Sequence, residues 1–536
     1  MNKPQIPLFL STAIAYVNAA PHVGHALELL LGDALARHHR QRGRDVRFTG
    51  GTDDHSTKNA RAAAARGVST LELVTEHGAT FRRLPAALGV ALDDYLHTSR
   101  DPRHAPAVLA LWRRCAEAGD LYTKEYAGPY CAGCEAFLQA ADLLEGRCPA
   151  HREPLEEVRE TNWFFRLSRY EPALLAALED GSLSVQPRER WNEVKSFVRS
   201  GLTDFSVSRS RARARDWGIA VPGDPSQVIY VWFDALANYL SLLGFPERTP
   251  ELERYWSSAT SAREHLIGKD ILRFHAVYWP AILLSAGLPL PSAVKAHGYV
   301  TLEGRKIGKS LGNAVDPFEL VEHFGPQAVR FYFLRHLHTT KDSDFRLERL
   351  VEAHDSELAG KLGNLLQRVT ALALRHPALA LRRASAAESD ADRELRQAAE
   401  RAAQDVPAAV DDFALHEALA SIWELVAAAN RYADGQEPWT LSRRANTAKT
   451  EGAGSDLSAQ LAHVLWHLLE ALRVTAILLA PFLPEAARGI TQRIGAPERQ
   501  LADLACARFG QAGRFAPREG PALFPRLGSS PVRARS

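Results

Sequence analysis

The chain has 536 residues, of which 46% are hydrophobic and 24% charged, and its formal net charge is +2. This composition is typical of a globular protein with two to four domains, and the near-neutral charge excludes attraction of nucleic acid by an overall field. No uninterrupted apolar run is long enough to cross a bilayer, so we expect no membrane-embedded part. The five cysteines do not suggest the disulfide framework of a secreted protein.

The N-terminal stretch, residues 8–25, fits two incompatible interpretations. Lys3, the apolar run after it and the small residues "NAA" resemble a secretory signal cleaved after Ala20. Alternatively, the run "PLFLSTAI" is a buried strand. We favour the strand because the charged start of the signal is poor and because cleavage would remove a strand that the following pattern requires.

That pattern is a strand–helix–strand unit. "HVGHALELLLGDALARHHRQRG" has helical apolar spacing and ends at Gly43, and "DVRFTGG" then has the character of a second buried strand. Such a unit within about 45 residues predicts a parallel sheet covered by helices.

The rest of the chain divides by pattern. A cysteine cluster and charged stretches interrupt the α/β pattern, which then resumes, and beyond it apolar residues recur at the three-to-four spacing of a helix bundle. The Pro-, Gly- and Arg-rich end is expected to be loosely ordered. The expected segments are residues 1–118 and 221–300 for the sheet domain, 119–220 for an insertion, 301–349 for a linking region, 350–500 for the helical domain and 501–536 for a tail.

Two short motifs contain residues that suit phosphate. "HVGH" lies where the first strand turns into the first helix, and a helix N-terminus beyond a parallel strand favours anions. His22 and His25 can donate to phosphoryl oxygens there, while Gly24 lets a base or ribose approach the backbone. In "KIGKS", Lys306 and Lys309 suit a mobile clamp on a polyphosphate. Either motif alone is also compatible with an ordinary surface loop, and neither a Walker A nor a G-x-G-x-x-G sequence is present.

A cysteine cluster has the spacing of a zinc site. "YCAGCEAFLQAADLLEGRCPAH" supplies Cys131, Cys134, Cys148 and His151, with two residues inside each pair. Four such ligands close a tetrahedral site, which is structural rather than catalytic. Coincidence is the alternative, because an isolated C-x-x-C is common.

The order of these features resembles the class I aminoacyl-tRNA synthetases, specifically the methionyl-tRNA synthetases, from about residue 7 to about residue 490. "HVGH" matches the HIGH signature, and "KIGKS" matches the KMSKS signature except at Ile307 and Gly308. The resemblance implies a Rossmann-like catalytic domain of α/β class with an inserted zinc-knuckle domain, followed by an all-α helix-bundle domain that binds the anticodon.

The resemblance also implies an activity and its residues. The activity is ATP-dependent activation of L-methionine to methionyl-adenylate, with Mg²⁺, followed by transfer to tRNA(Met). Expected with it are one structural Zn²⁺ per chain, a cytoplasmic location, no membrane and, since an appended oligonucleotide-binding domain is missing, a monomer. The implied residues are His22, His25, Lys306 and Lys309 for catalysis, the same four with Gly24 and Ser310 for ATP, Ile14, Tyr16, Asp53, Trp232, Ala235, Tyr239, Ile271 and His275 for methionine, and Asn364, Arg368 and Trp439 for the anticodon.

Three alternatives stay open at this point. A synthetase for leucine, isoleucine or valine shares the fold, but by analogy its insertion is about twice as long. A non-catalytic paralogue that binds tRNA or senses methionine is compatible with Ile307 and Gly308. A spare copy of the same enzyme is suggested by the single methionine, Met1, in the whole chain.

Overall fold

The structure is a computed structural model that describes residues 6–131, 136–137, 143–144, 146–148, 155–307, 315–379, 381–383, 388–450 and 455–527. Its contacts divide the chain into two compact units. Unit 1 comprises Met1–Gly32, Val46–His297 and Gly308–Pro317, and unit 2 comprises Asp33–Asp45, Gly298–Ile307 and Phe318–Ser536. The domain boundaries drawn from the sequence remain predictions.

The regular elements alternate first and are mainly helical later. The strands are β1 (Leu8–Tyr16), β2 (Val46–Asp53), β3 (Asp94–His97), β4 (Leu121–Cys131), β5 (Ala136–Phe137), β6 (Glu156–Phe165), β7 (Ser184–Gln186), β8 (Phe205–Ser206), β9 (Ser208–Ser210), β10 (Ala220–Val221), β11 (Asp224–Ile229), β12 (Ala262–Gly268), β13 (Ala293–His297), β14 (Val300–Leu302), β15 (Arg305–Lys306) and β16 (Ser343–Asp344). The helices are α1 (Val23–Gln41), α2 (Thr57–Arg66), α3 (Thr70–Ala87), α4 (His104–Glu117), α5 (Glu171–Glu179), α6 (Arg188–Arg199), α7 (Arg211–Ala214), α8 (Val231–Leu236), α9 (Asn238–Ser241), α10 (Pro250–Leu252), α11 (Trp279–Ser285), α12 (Pro317–Arg335), α13 (Leu347–Ala353), α14 (Asn364–Leu374), α15 (Asp390–Asp411), α16 (Leu415–Gln436), α17 (Pro438–Thr450), α18 (Ser455–Leu479) and α19 (Pro484–Ile494).

Unit 1 is built on a six-stranded sheet in the order β3-β2-β1-β12-β13-β7, and every pairing in it is parallel. β1 lies inside the sheet between β2 and β12, and Leu8, Phe9 and Leu10 are fully buried, as apolar runs in parallel sheets are. The parallel-sheet fold predicted from the sequence is thus confirmed, and a cleaved signal would have removed an inner strand.

β7 was not foreseen. It comes from the segment expected to form the insertion, yet it pairs with β13 and forms an edge of the main sheet. Three residues are too few to give a periodic pattern, so the sequence offered no signal for it.

The carboxyl end of β1 is bent towards α1. The register between β1 and β2 shifts between Ser11 and Ile14, and the Ala13 amide donates to Glu28 Oε1 on α1 at 2.9 Å. Such a bulge redirects the side chains that follow it. It therefore sets the direction of the last residues of β1, which include Ile14 and Tyr16.

The insertion forms a small antiparallel sheet, β5-β4-β6-β8. β4 and β6 pair continuously from Leu121 opposite Phe165 to Tyr130 opposite Glu156. A second small sheet, β10-β11-β9, follows it.

Unit 2 is largely helical, and α18 is its core helix. Among the described residues, Asp456–Leu479 is the one helix long and apolar enough to cross a membrane, and 89% of its apolar window is buried inside the protein. A helix that is apolar all round is expected at the centre of a bundle, and packing against α15, α16, α17 and α19 accounts for this composition.

The end of the chain is more ordered than its composition suggests. Phe515 and Phe524 are buried, and the guanidinium of Arg493 donates to the carbonyls of Gly520 and Pro521. The Leu527 amide then donates to an Asp355 carboxylate oxygen. The expectation of a loosely ordered end was therefore wrong for the residues up to 527. Two buried phenylalanines and a buried arginine hold this segment in place although its sequence has no periodic pattern.

Candidate active site

The histidine motif begins α1 just beyond the bend of β1. His22 Nδ1 accepts a hydrogen bond from the Gly24 amide at 3.0 Å, and His25 Nδ1 accepts one from the His22 amide at 3.1 Å. Since both Nδ1 atoms are acceptors, each ring carries its proton on Nε2, where it can donate. Burial, together with the neighbouring His22, lowers the pKa of His25 well below its ordinary value of 6.5. The motif is thus a pair of neutral donors at a helix N-terminus.

Gly24 has a steric role that the sequence did not reveal. A Cβ at this position would lie 2.8 Å from His22 Cε1, which is closer than real contacts allow. A side chain at residue 24 would therefore displace the His22 ring.

Glu28 is a site residue that the sequence analysis missed. Besides accepting from the Ala13 amide, its carboxylate accepts from His297 Nε2 at 3.0 Å. The signal was available, because residue 28 lies three positions after His25 and so shares its face of α1. Glu28 ties the bent end of β1 and the end of β13 to the helix that carries the histidines.

The lysine motif is described only in part. Lys306 ends β15, but its side chain and the whole of Lys309 and Ser310 lie outside the described residues. Ile307, which replaces the usual methionine of the signature, is buried. After the motif, the Val315 carbonyl accepts from the Val23 amide at 3.2 Å, so in unit 1 the returning chain is attached to the start of α1.

An aromatic cluster adjoins the ends of β1 and β2. Tyr16 and Asp53 are register partners in these strands, and the Tyr16 ring meets Trp232 edge-on at 6.4 Å. Trp232 stacks on Phe274 at 3.8 Å and lies edge-on to His275 at 6.2 Å. Strand pairing therefore places the buried Asp53 beside Tyr16, and ring contacts continue from Tyr16 through Trp232 to His275. Phe274 belongs to this wall although the sequence analysis did not name it.

The far end of the wall is a neutral polar pair. His275 Nδ1 donates to the Ile271 carbonyl at 3.0 Å, and His275 Nε2 accepts from the Tyr239 hydroxyl at 2.8 Å. Burial lowers the pKa of His275 to about 4 and raises the pKa of Tyr239. The group formed by the aromatic cluster and this pair is thus uncharged, which suits an apolar, polarizable side chain such as a thioether. Ala235 lies three residues after Trp232 on α8 and is buried, and Ile14 lies on β1 two residues before Tyr16.

A buried His–Asp–His network lies next to Asp53 and holds the loop that follows it. Asp234 Oδ2 lies 2.6 Å from His55 Nδ1, and its Oδ1 lies 2.6 Å from His104 Nε2. Burial alone would raise the pKa of Asp234, but the two histidines hold it below its ordinary value. The His55 amide in turn donates to Asp53 Oδ1 at 3.2 Å. The network therefore joins the Asp53 loop to α8. The sequence analysis did not name its members, although His55 lies in "GTDDHS" and Asp234 in "VWFDA", next to residues that it did name.

In unit 2, the residues predicted to read an anticodon share a surface. The Arg368 guanidinium lies 4.2 Å from the centre of the half-buried Trp439 ring. Asn364 is exposed one helical turn before Arg368 on α14. An aromatic ring with a cation over its face is the kind of platform on which unpaired bases stack.

The cysteine cluster is described for two of its four members. Cys131 ends β4, and both Cys131 and Cys148 are buried. Cys134 and His151 lie outside the described residues. Two buried cysteines fit a structural zinc site, which stays a prediction.

Comparisons with known proteins agree with one another. The family model described as tRNA synthetases class I (M) matches residues 8–157 and 152–370. The methionine–tRNA ligase of Brucella suis is 41% identical over 525 residues, which cover 97% of each chain. The chloroplastic/mitochondrial methionine–tRNA ligase of Arabidopsis thaliana is 40% identical over 92% of this chain and 78% of its own. The structure of Mycobacterium tuberculosis methionyl-tRNA synthetase in complex with methionyl-adenylate matches with a TM-score of 0.89 at 38% identity, covering 97% of this chain and all of that one.

These relatives favour neither a leucine, isoleucine or valine enzyme nor a non-catalytic or spare paralogue. The similarity spans nearly the whole chain and includes both units. The chain therefore belongs to the methionyl-tRNA synthetases, the methionine–tRNA ligases of class I.

Proposed function

We propose that unit 1 binds methionine between Asp53 and Tyr239 and lets it react with ATP to give methionyl-adenylate and pyrophosphate. The enzyme then transfers the methionyl group to tRNA(Met) and releases AMP. The observation that supports this most strongly is the position of the buried Asp53 beside Tyr16 in the sheet, with ring contacts that continue from Tyr16 through Trp232 to the neutral Tyr239–His275 pair. Such a pocket carries a charged end and an uncharged end, as an amino acid with an apolar side chain requires.

Asp53 is proposed to hold the α-ammonium group. Its side chain is buried at the carboxyl end of β2, the edge of a parallel sheet where ligands bind. Asp234, His55 and His104 act as positioning residues, because they fix the loop after Asp53 without lining the aromatic wall.

Adenylation needs positioning and charge neutralisation rather than a protein nucleophile, since the methionine carboxylate itself attacks the α-phosphorus. We assign the Nε2 protons of His22 and His25 to phosphoryl oxygens on the basis of their geometry. The resemblance adds Lys306, Lys309 and Ser310 as phosphate ligands, with Gly24 beside the nucleoside and Mg²⁺ as the accompanying ion.

Unit 2 is proposed to read the anticodon through Asn364, Arg368 and Trp439. The half-buried ring of Trp439 can stack on a base, and Arg368 adds a positive charge at the same surface.

The remaining assignments follow from the family. Cys131, Cys134, Cys148 and His151 would hold one structural zinc ion. The support is their spacing in the sequence and the burial of the two described cysteines. We further propose that the enzyme is a cytoplasmic monomer without membrane attachment.

The test of the activation step is amino-acid-dependent exchange of pyrophosphate into ATP, measured for each of the twenty amino acids without tRNA. Methionine should support exchange far better than any other. Faster exchange with leucine, isoleucine or valine would overturn the pocket assignment, and no exchange with any amino acid would overturn the proposed activity.

A further inference from the structure

A second cluster of metal-binding residue types lies inside the helical unit and contains none of the residues given a role above. His463 and His467 are four positions apart on α18, with ring centres 4.3 Å apart, and Asp392 stands in the first turn of α15. Asp392 Oδ2 is 3.0 Å from His463 Nε2, and its Oδ1 is 3.8 Å from His467 Nε2. One ligand atom of each residue lies within 4.8 Å of the other two.

The cluster is largely enclosed but can be reached. The side chains of Asp392 and His467 are each 4% exposed, whereas that of His463 is 17% exposed. Two histidines at this spacing share one face of a helix, and the carboxylate approaches that face from a different helix. Three donor atoms therefore converge, and the exposed edge of His463 leaves a path for a small ion and a water molecule.

Hydrogen bonds orient two of these ligands, His467 and Asp392, as in a metal site. His467 Nδ1 donates to the His463 carbonyl at 2.9 Å, which directs its bare Nε2 towards Asp392. Metal-bound histidines commonly donate their other ring N–H to a backbone carbonyl in this way. The Asp392 carboxylate accepts from the Tyr432 hydroxyl at 2.6 Å and from the amide and the hydroxyl of Ser389, each at 2.8 Å. These donors fix the carboxylate in its ionised form.

The distances separate this cluster from the other His–Asp–His group of the protein. Bonds of about 2.0–2.1 Å in a tetrahedral zinc site place ligand atoms about 3.3 Å apart. The separations of 3.0 and 3.8 Å in the helical unit lie on either side of that value. Both histidines of the Asp234 network are only 2.6 Å from the carboxylate, well short of that spacing, whereas His467 Nε2 in the helical unit lies beyond hydrogen-bond distance of Asp392.

We propose that Asp392, His463 and His467 bind one divalent transition-metal ion, zinc foremost, with water as the fourth ligand. The ion takes the place of the proton that His463 Nε2 shares with Asp392. That proton passes through solvent to Nδ1 of the same ring, so His463 binds the ion as a neutral imidazole through Nε2. Two imidazoles and one carboxylate favour zinc over magnesium or calcium, which prefer oxygen ligands only. The bound ion links α15 to the core helix α18 and stabilises the helical unit.

The test measures zinc stoichiometry on the full-length chain after weakly held metal has been removed, in the presence of a chelator of micromolar affinity. The wild type should bind one zinc ion more than the double variant His463→Gln/His467→Gln. This difference of one is expected whether or not the cysteine cluster also holds zinc, so it is independent of the proposed function. Cobalt(II) should give a wild-type-minus-variant spectrum of a nitrogen–oxygen site without thiolate charge-transfer bands.

His416→Gln is the matched control. Its ring lies 4.1 Å from that of His338, much like the His463–His467 pair, but its neighbouring carboxylate, Glu417, is exposed. This variant should keep the wild-type stoichiometry. Should the double variant not fold, the single variant His463→Gln decides, because loss of this ligand should weaken zinc binding at least about tenfold. Equal stoichiometry in the wild type and the double variant, or unchanged affinity in His463→Gln, would show that the cluster is only a hydrogen-bonding hub.

Discussion

The Tyr239 hydroxyl and the His275 ring form a polar contact at the far end of the proposed methionine pocket. The tautomer is fixed, because His275 Nδ1 donates to the Ile271 carbonyl and leaves Nε2 to accept from Tyr239. With its pKa lowered to about 4 by burial, His275 stays neutral at physiological pH. The pocket therefore presents a dipole rather than a charge to a thioether.

Tyr239→Phe should raise the methionine KM by about fivefold or more, because it leaves His275 Nε2 buried without a donor at a cost of about 1–3 kcal/mol. It should also change the preference for methionine over homocysteine. Pyrophosphate exchange checks both effects, with Tyr278→Phe as a control that retains the ring stacked on Phe205. An unchanged KM would mean that the hydroxyl serves packing alone.

Asp53→Asn should raise the methionine KM by about 10- to 100-fold, since a charge-assisted hydrogen bond contributes about 1.5–3 kcal/mol. The ATP KM and the melting temperature should change little, because the amide keeps the shape of the carboxylate. Steady-state kinetics for both substrates measure this, with the exposed Asp216→Asn as control. A larger effect on ATP than on methionine would contradict the assigned role.

His55 should lose its raised pKa in Asp234→Asn. Burial lowers the pKa of His55, but the Asp234 carboxylate raises it above 6.5 overall. The stabilisation from charged His55 is therefore complete below about pH 6.5 and is lost as the pH rises through the folded-state pKa. The difference in unfolding free energy between wild type and variant should accordingly shrink as the pH rises.

An NMR titration of the histidine rings measures the shift directly. The His55 signal should titrate at lower pH in the variant than in the wild type. A difference in stability that grew with pH would mean that His55 is not charged in the folded protein.

At the scale of elements, the strands and helices with a long periodic pattern were predicted from the sequence, whereas the short or aperiodic segments were missed. β1, α1 and β2 have long apolar patterns, and their order alone indicates a parallel sheet. β7 has three residues, and the ordered tail has isolated anchors rather than a pattern. The pocket residues were named only through family resemblance, because spacing in the sequence does not show that Trp232 meets Phe274 or that Asp234 meets His104.

Trp439 tests the role of the helical elements. Trp439→Ala should weaken tRNA recognition by about 1–3 kcal/mol through lost stacking, while methionine-dependent pyrophosphate exchange stays at the wild-type rate. Comparing the tRNA KM in aminoacylation with the exchange rate on the same preparation gives the measurement and its internal control. Equal damage to both steps would show that Trp439 is a packing residue, with Arg368 stacked on it for stability.

At the scale of the whole molecule, each unit carries chemistry that the other lacks. Unit 1 holds the parallel sheet, the histidine pair and the aromatic pocket, and unit 2 holds the exposed Arg368–Trp439 surface. The proposed function assigns activation of the amino acid to unit 1 and selection of the tRNA to unit 2. The whole chain also contains no methionine after Met1, so it offers no thioether for oxidation at its core.

Aminoacylation of unfractionated tRNA, measured separately with each of the twenty amino acids, is the most direct test of this account. It requires the pocket of unit 1 and the tRNA surface of unit 2 in one experiment. Methionine alone should be attached efficiently, and the product should be tRNA(Met). Efficient attachment of leucine, isoleucine or valine, attachment of methionine to other tRNAs, or no attachment at all would contradict the account.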